Sequence, residues 1–436
     1  MRKPKWHLLV GALAAVSLIA AACGDDGENG GGGGGGGGDG AECPAGDVCV
    51  EVPEGSPIKV GTLLVITGEN ASLGLDGQHG VELSLDYYDG AFDGTPGEVA
   101  GHPVELVHED DGCSAEGGTA GATNLAADPE LVGVVGTSCS GAGEPASQIL
   151  SDAQIVLISP SNTAPSLTDP TTHQEYYLRT AHNDKVQGAA MAQFVSEELG
   201  LTTAATIHDG SPYADQLQQV FTETFTNEFG GEVSSQEAVQ VGDTDFGPLL
   251  TSIAAGSPEF LYYPIFVAEG GLVTAQAREV PGLSDALLGG ADGMLTPDWI
   301  EAAGAENAEG VFLSGPDLEF ASGFYQDEFI PAYEEQFGEP TSVFHAHAFD
   351  ATTMLLETIE EVAIEGDGVT LIPRVALKDA MFGITGFEGI LGSLDCTPTE
   401  DAIGDCNAGA TITVSQVQGG EFVVVWPEEK ASGEIK

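Results

Sequence analysis

Along the chain, short runs that are apolar at every position alternate with longer stretches whose apolar residues recur at three and four spacing. The first kind suits strands buried on both faces of a sheet, and the second suits amphipathic helices. On that pattern strands are expected at residues 58–67, 103–108, 131–136, 154–159, 203–208, 260–266, 286–289 and 310–314. Helices are expected at 77–88, 117–127, 144–152, 184–199, 214–229, 246–254, 269–279, 320–337 and 346–362, with Asp245 placed to cap the sixth. Strand, helix, strand at these lengths implies βαβ units and parallel sheets. Residues 410–417 and 421–426 differ, because they flank Gln418-Gly419-Gly420 and read as an antiparallel hairpin. One sheet does not comfortably hold so many strands, so the expected fold is α/β with two doubly wound parallel-sheet lobes.

The N-terminus carries an export pattern. Arg2, Lys3 and Lys5 precede an apolar run over 8–22 that is too short for a membrane span, so residues 1–22 read as a signal peptide. The run ends Ile19-Ala20-Ala21-Ala22-Cys23-Gly24, which resembles a bacterial lipobox with Ala20 where leucine is more usual, and makes Cys23 the expected lipidated residue. An ordinary secretory peptide with a chance cysteine is the competing reading. Residues 30–38 are nine consecutive glycines, which bury no core, so 23–56 read as a flexible tether and the folded part as starting near Ile58.

Composition narrows the function. The chain has 436 residues, 42% of them hydrophobic, which is enough for two lobes of ordinary size. Eleven Lys and Arg against 69 Asp and Glu give a formal charge of −58, which repels nucleic acid and fits a salt-tolerant exported surface. Of seven cysteines, setting Cys23 aside leaves six, a number that suits three disulfides outside the cytoplasm. Proximity pairs Cys43 with Cys49 and Cys396 with Cys406, leaving Cys113 with Cys139, although six cysteines allow fifteen connectivities. No pair has the short spacing of a zinc knuckle, so no metal is expected there.

In doubly wound sheets ligands sit beyond the carboxyl ends of the strands, where helix N-termini offer free N–H groups. Two such loops, Thr137-Ser138-Cys139-Ser140-Gly141 and Pro160-Ser161-Asn162-Thr163-Ala164-Pro165, are dense in hydroxyls, as a small carboxylate requires. Plain helix capping explains the same residues without a ligand. Enzyme motifs fail at their defining positions. His108-Glu109-Asp110-Asp111-Gly112 has Gly112 where a zinc-protease helix needs its second histidine, and Gly136-Thr137-Ser138 lacks the closing glycine of a nucleophile elbow because Ser140 stands there. On a helix His345 and His347 point about 200° apart, which suits packing rather than a shared metal. The glycine run follows no strand and carries no lysine, so it is not a phosphate loop.

Several stretches in order carry a family resemblance over residues 57–426. They are Ile58-Lys59-Val60-Gly61, Glu109-Asp110-Asp111-Gly112-Cys113, Gly136-Thr137-Ser138-Cys139-Ser140, Ser159-Pro160-Ser161-Asn162-Thr163-Ala164-Pro165, His208-Asp209-Gly210-Ser211-Pro212-Tyr213 and Gly289-Gly290-Ala291-Asp292-Gly293. Together they resemble the leucine/isoleucine/valine-binding proteins, substrate-binding components of ABC importers with the type I periplasmic-binding fold. The resemblance implies a Cys113–Cys139 disulfide. It implies that Ser140 and Thr163 hold an α-carboxylate, that the Ser161 carbonyl and Thr163 reach the ammonium, and that Asp292 is the ammonium's counter-ion. It places Tyr213 and Phe266 over the ligand from the second lobe. Leu73 stands where the family often has an aromatic, and Asp292 is shorter than the usual glutamate, which leaves Glu269 as an alternative counter-charge.

The resemblance further implies interleaved lobes, 57–179 with 316–397 and 180–315 with 398–430, joined by a multi-strand hinge. The expected function is binding of a branched-chain or related amino acid by hinge closure, without a cofactor, bond chemistry or nucleic acid. The expected partners are ABC permease subunits and, through Cys23, the membrane, the protein being a monomer at the outer face of the cytoplasmic membrane or in the periplasm. A short-chain amide or urea binder of the same fold and a ligand sensor for a membrane receptor are the alternatives.

Overall fold

The computed structural model describes residues 41–320, 323–407 and 409–436. The expected signal peptide, Cys23 and the run of glycines at 30–38 lie outside the described residues.

Leu131–Gly136 and Val156–Ser159 are apolar throughout or nearly so and are buried at every position, as strands covered on both faces must be. They belong to a five-stranded, wholly parallel sheet ordered Val104–Asp110, Ile58–Leu64, Leu131–Gly136, Val156–Ser159, Tyr177–Arg179. The chain starts at the second position and winds outward both ways, so the strand order reverses between Ile58–Leu64 and Leu131–Gly136. A second sheet repeats the plan around Thr203–His208, which lies between Glu232–Ala238 and Phe260–Tyr262 and is followed by Leu287–Gly290 and Phe312–Pro316. The hairpin Ile412–Gln418 and Glu421–Trp426 then adds to Phe312–Pro316 antiparallel, making this sheet mixed and seven-stranded. Each order reversal leaves a crevice at the strands' carboxyl ends, which is where ligands bind in such sheets.

Two large apolar clusters fill the faces. One gathers residues 181–313 with Val414, Val417 and Val425, and the other gathers residues 50–178 with Ala348, Met354, Leu355 and Ile372. Late segments therefore return to both halves, covering a face of the first sheet and adding strands to the second. The helix His345–Val362 lies against Ala71–Tyr87 so closely that a methyl group at Gly80 would fall 2.2 Å from the His345 carbonyl oxygen. The three disulfides are Cys43–Cys49, Cys113–Cys139 and Cys396–Cys406.

Differences from the pattern-based expectation have local causes. Cys49–Pro53 is a strand paired antiparallel with Val369–Pro373, so ordered structure begins inside the span read as tether; only Val50 and Val52 are buried there, too few to register among Pro53, Gly55 and Pro57. Glu232–Ala238 is an edge strand of polar residues with no apolar run. The helix Ala71–Tyr87 starts six residues earlier than expected, because Gly74 lies against the Val65 backbone and close packing there is done by a missing side chain. Asp245 accepts a hydrogen bond from Gly247 N at 3.2 Å, while Phe246 occupies the capping position itself. Among the described residues no helix is long and apolar enough to cross a membrane.

Candidate functional site

The crevice of the first sheet is built by loops that brace one another. Asp111, buried behind them, accepts from Ser138 N at 2.6 Å and from Cys113 N at 2.7 Å, and burial pushes its carboxyl up to about 7. Ser138 Oγ accepts from Val65 N at 3.0 Å, joining the loop after Ile58–Leu64 to the loop after Leu131–Gly136. Ser161 Oγ donates to the Ser138 carbonyl at 2.8 Å, and Asn162 Nδ2 to the Thr137 carbonyl at 2.9 Å. Gly143 permits this, since a methyl group there would sit 2.3 Å from Asn162 Oδ1. The helix Ser140–Asp152 starts here, bringing its partial positive end to the loop, and Ser140 Oγ accepts from Ala164 N at 3.2 Å.

The facing side is acidic. Asp292 follows Leu287–Gly290 and opens a single helical turn; its Oδ1 accepts from Gln187 Nε2 at 2.6 Å and from Tyr213 OH at 3.1 Å. Asp184 opens the helix Asp184–Gln193, and its Oδ2 accepts from Thr163 Oγ1 at 3.1 Å. Donor atoms of His182, Asp184 and Asp292, all buried, lie within 4.8 Å of one another. Burial holds Asp184 well above the usual carboxylate range, with Asp292 adding to the rise and Arg179 opposing it. Burial also raises Asp292, opposed by His182 and Gln187. The same burial lowers His182 and raises Tyr213, leaving an imidazole neutral and a phenol as a donor. Asp184 Oδ1 and His182 Nδ1 are buried without a hydrogen-bond partner among the described residues. Two acids, one neutral ring and two unpartnered polar atoms form a cation-seeking cluster, suited to an ammonium or to a metal ion.

Ser140, Ser161, Thr163, Tyr213 and Asp292 are all buried, between 1% and 8% exposed. The two halves meet directly, since Gln216 Oε1 accepts from Ser166 N and Gln216 Nε2 donates to Ser166 Oγ, both at 2.9 Å. Phe266, just before the helix Val267–Glu279, lies 5.1 Å from the Tyr213 ring, and both rings flank Gly293. Leu73, in the first turn of its helix, is partly buried and packs on the apolar cluster of the second sheet. Glu269 Oε1 accepts from Gly242 N at 2.6 Å and so ties a loop of the second sheet; the acid the structure brings to Asp292 is Asp184. Asp184, His182 and Gln187 were not singled out from the sequence, and Asp111 entered only as part of the stretch 109–113, without a role of its own. Asp184 follows the capping residue Asn183 and looks like any acid of a first helical turn. His345 and His347 are packed apart: His345 Nδ1 meets Asp76, and His347 lies against Phe344.

A family model described as "Periplasmic binding protein" matches residues 57–421. The chain belongs to this family. Its architecture is the type I periplasmic-binding fold, with parallel sheets in two doubly wound halves. A leucine-, isoleucine-, valine-, threonine- and alanine-binding protein of Pseudomonas aeruginosa is 28% identical over 350 residues, covering 79% of this chain and 89% of the relative. The Leu/Ile/Val-binding protein of Escherichia coli strain K12 is 28% identical over 259 residues, 59% of this chain and 67% of its own length. Among solved structures, a branched-chain amino acid transporter substrate-binding protein of Streptococcus pneumoniae in complex with isoleucine superposes with a TM-score of 0.71 at 25% identity, over 85% of this chain and all of the other. A leucine-binding protein of Thermotoga maritima gives 0.72 at 24% identity, over 84% and 97%, a likeness of fold.

Proposed function

We propose that this protein is the extracytoplasmic solute-binding component of an ABC importer, holding a branched-chain or related α-amino acid in the crevice between its two sheets. The observation that carries the reading is the opposition of two recognition surfaces at one buried place. The Ser140 hydroxyl, a helix N-terminus and the Thr163 loop suit a carboxylate, and Asp292 with Asp184, which accepts from the Thr163 hydroxyl, suits an ammonium. A zwitterion needs both ends satisfied once it leaves water. Leu73, Phe266 and Tyr213 supply the apolar wall for its side chain. The names of the relatives support the same ligand class.

Binding here is hinge closure without bond chemistry. The lobes are 57–179 with 316–397 and 180–315 with 398–430, and the ligand stabilises their closed arrangement, which permease subunits would recognise. Lipidation of Cys23 anchors the chain to the membrane as a monomer on an acidic, glycine-rich tether. The test is a thermal-shift panel on the full chain with its disulfides intact, against the α-amino acids, short amides, urea and small carboxylates. A shift with isoleucine, leucine or valine at one ligand per chain by calorimetry is the expected result. A response confined to amides or urea would overturn the ligand class. Loss of membrane retention in Cys23→Ala checks the anchor.

A further inference from the structure

Among the described residues, Arg179 and Asp405 form the most buried pairing of an arginine or lysine with a carboxylate, with side chains 0% and 3% exposed, yet 226 residues separate them. Arg179 ends the last strand of the five-stranded sheet, and its two terminal nitrogens divide the work. Nη1 donates to the Asn162 carbonyl at 3.2 Å and to the Ala164 carbonyl at 2.9 Å, the two carbonyls on either side of Thr163. Nη2 donates to Asp405 Oδ2 at 2.9 Å and to Thr168 Oγ1 at 3.1 Å. Asp405 Oδ2 also accepts from Asn183 Nδ2 at 3.0 Å. Asn183 in turn caps the helix that opens with Asp184, and Asp184 N donates to the Thr163 carbonyl at 3.0 Å.

The segment that carries Asp405 is fixed from both sides. Arg179 N donates to the Gly404 carbonyl at 2.8 Å, Cys406 N donates to the Arg179 carbonyl at 3.0 Å, and Cys406 is tied to Cys396 by a disulfide. Arg179 Nε and Asp405 Oδ1 remain without hydrogen-bond partners among the described residues. As a stabilising device such a pair is poor, because apolar side chains of similar volume fill a core without unsatisfied charge. As a positioning device it is good, since a planar guanidinium fixes several acceptors at once.

We propose that Arg179 and Asp405 are positioning residues of the binding site, which hold the Thr163 loop and the Asp184 helix in register from behind through a disulfide-pinned crossing segment. The proposal rests on the reading that Thr163 and Asp184 face the ligand. It assigns to the segment around Asp405 a role in affinity exerted through Arg179 and Asn183.

The test uses the double variant Arg179→Met with Asp405→Leu in the full chain, which keeps the volume and removes both charges, so that folding is preserved where either single change would strand a buried charge. Hydrogen exchange of the ligand-free protein is the first readout. Amides at 163–164 and 184–187 should exchange at least tenfold faster, with the strand Thr203–His208 unchanged; unaltered protection at 163–164 and 184 would overturn the proposal. Isoleucine binding by calorimetry is the second readout. Thr163→Val should weaken binding at least tenfold in the native background and less than threefold in the double variant, because a displaced loop no longer presents Thr163. Equal factors in both backgrounds would mean a merely structural pair and would overturn it. Arg179→Lys keeps the charge without the fork, so it should exchange like the double variant, and native-like protection would count against the bridging role. Should the native protein take up no isoleucine, the ligand class fails and hydrogen exchange alone decides the brace.

Discussion

Asp292→Asn separates the charge at the proposed ammonium site from its shape. Both hydrogen bonds to this carboxyl, from Gln187 and from Tyr213, arrive at Oδ1. An asparagine oxygen accepts both, so the packing survives. Because burial already disfavours the ionised form of Asp292, removing its charge relieves the ligand-free protein, and the unfolding midpoint should stay level or rise. The bound state loses more. Depriving a buried cation of its partner costs about 3 kcal/mol, at the lower end of the usual range since Asp184 stays beside it, and this corresponds to roughly a 150-fold weaker affinity. Calorimetry with isoleucine at pH 8, paired with thermal unfolding, reads both effects. Glu269→Gln, whose carboxylate serves Gly242 N, is the matched control and should change affinity less than about twofold. Native affinity in Asp292→Asn would refute the assignment of the counter-ion, and a fall in both variants would refute the division between them.

The same acids predict a pH dependence. Asp184 and Asp292 are held above the usual carboxylate range, an ammonium favours their ionised forms, and so isoleucine affinity should rise with pH from 5 to 8 as the proton released on binding becomes easier to lose; a flat profile would be inconsistent with this. Asp350, pushed up to about 7 by burial, keeps a proton that the unfolded chain gives up near 4, so over that interval it lowers unfolding free energy by about 1.4 kcal/mol per pH unit as pH rises. Urea denaturation at pH 5 and pH 7 should show a shallower fall in Asp350→Asn, and identical pH dependences would refute it. Replacing Cys113 and Cys139 by serine opens a 26-residue separation and should cost about 3 kcal/mol by denaturation, with weaker ligand binding because Cys139 precedes the helix at Ser140. Gly80→Ala forces Ala71–Tyr87 away from His345–Val362 and should cost about 2 kcal/mol; an unchanged midpoint would mean that the helices are free to part.

What could be read from sequence follows where the relevant physics is local. Leu131–Gly136 and Thr203–His208 were expected residue for residue, because a run of apolar, largely β-branched residues between polar turns has few other uses. Ser140 and Thr163 were legible as hydroxyls in consecutive post-strand loops, and Asp292 only through its resemblance to a family pattern. Partners brought together by the fold were not legible. Asp184 carries no mark that separates it from a helix-start acid, and the bond between Arg179 and Asp405 spans 226 positions. Glu232–Ala238 was missed because an edge strand exposed on alternate residues needs no apolar run, and Cys49–Pro53 because its partner lies more than 300 residues away.

The shortage of bases shapes the recognition chemistry. Of the 11 Lys and Arg in the chain, several are spent on architecture: Lys59 holds Asp128 and Glu130, Arg374 donates to the carbonyls of Ala153 and Leu131, and Lys378 meets Glu175 and Asp379. Arg179 lies behind the Thr163 loop, with its guanidinium turned to carbonyls and to Asp405. A ligand carboxylate held as proposed would therefore meet hydroxyls and a helix N-terminus, which offer no full positive charge. An ammonium placed as proposed would, by contrast, face two carboxyls. A zwitterion satisfies that asymmetry, whereas a simple anion brings no ammonium to favour the ionised forms of the two buried carboxyls. On the proposed assignment, discrimination between an amino acid and the corresponding carboxylic acid would reside in Asp184 and Asp292 acting together, and it should weaken step by step as each is neutralised.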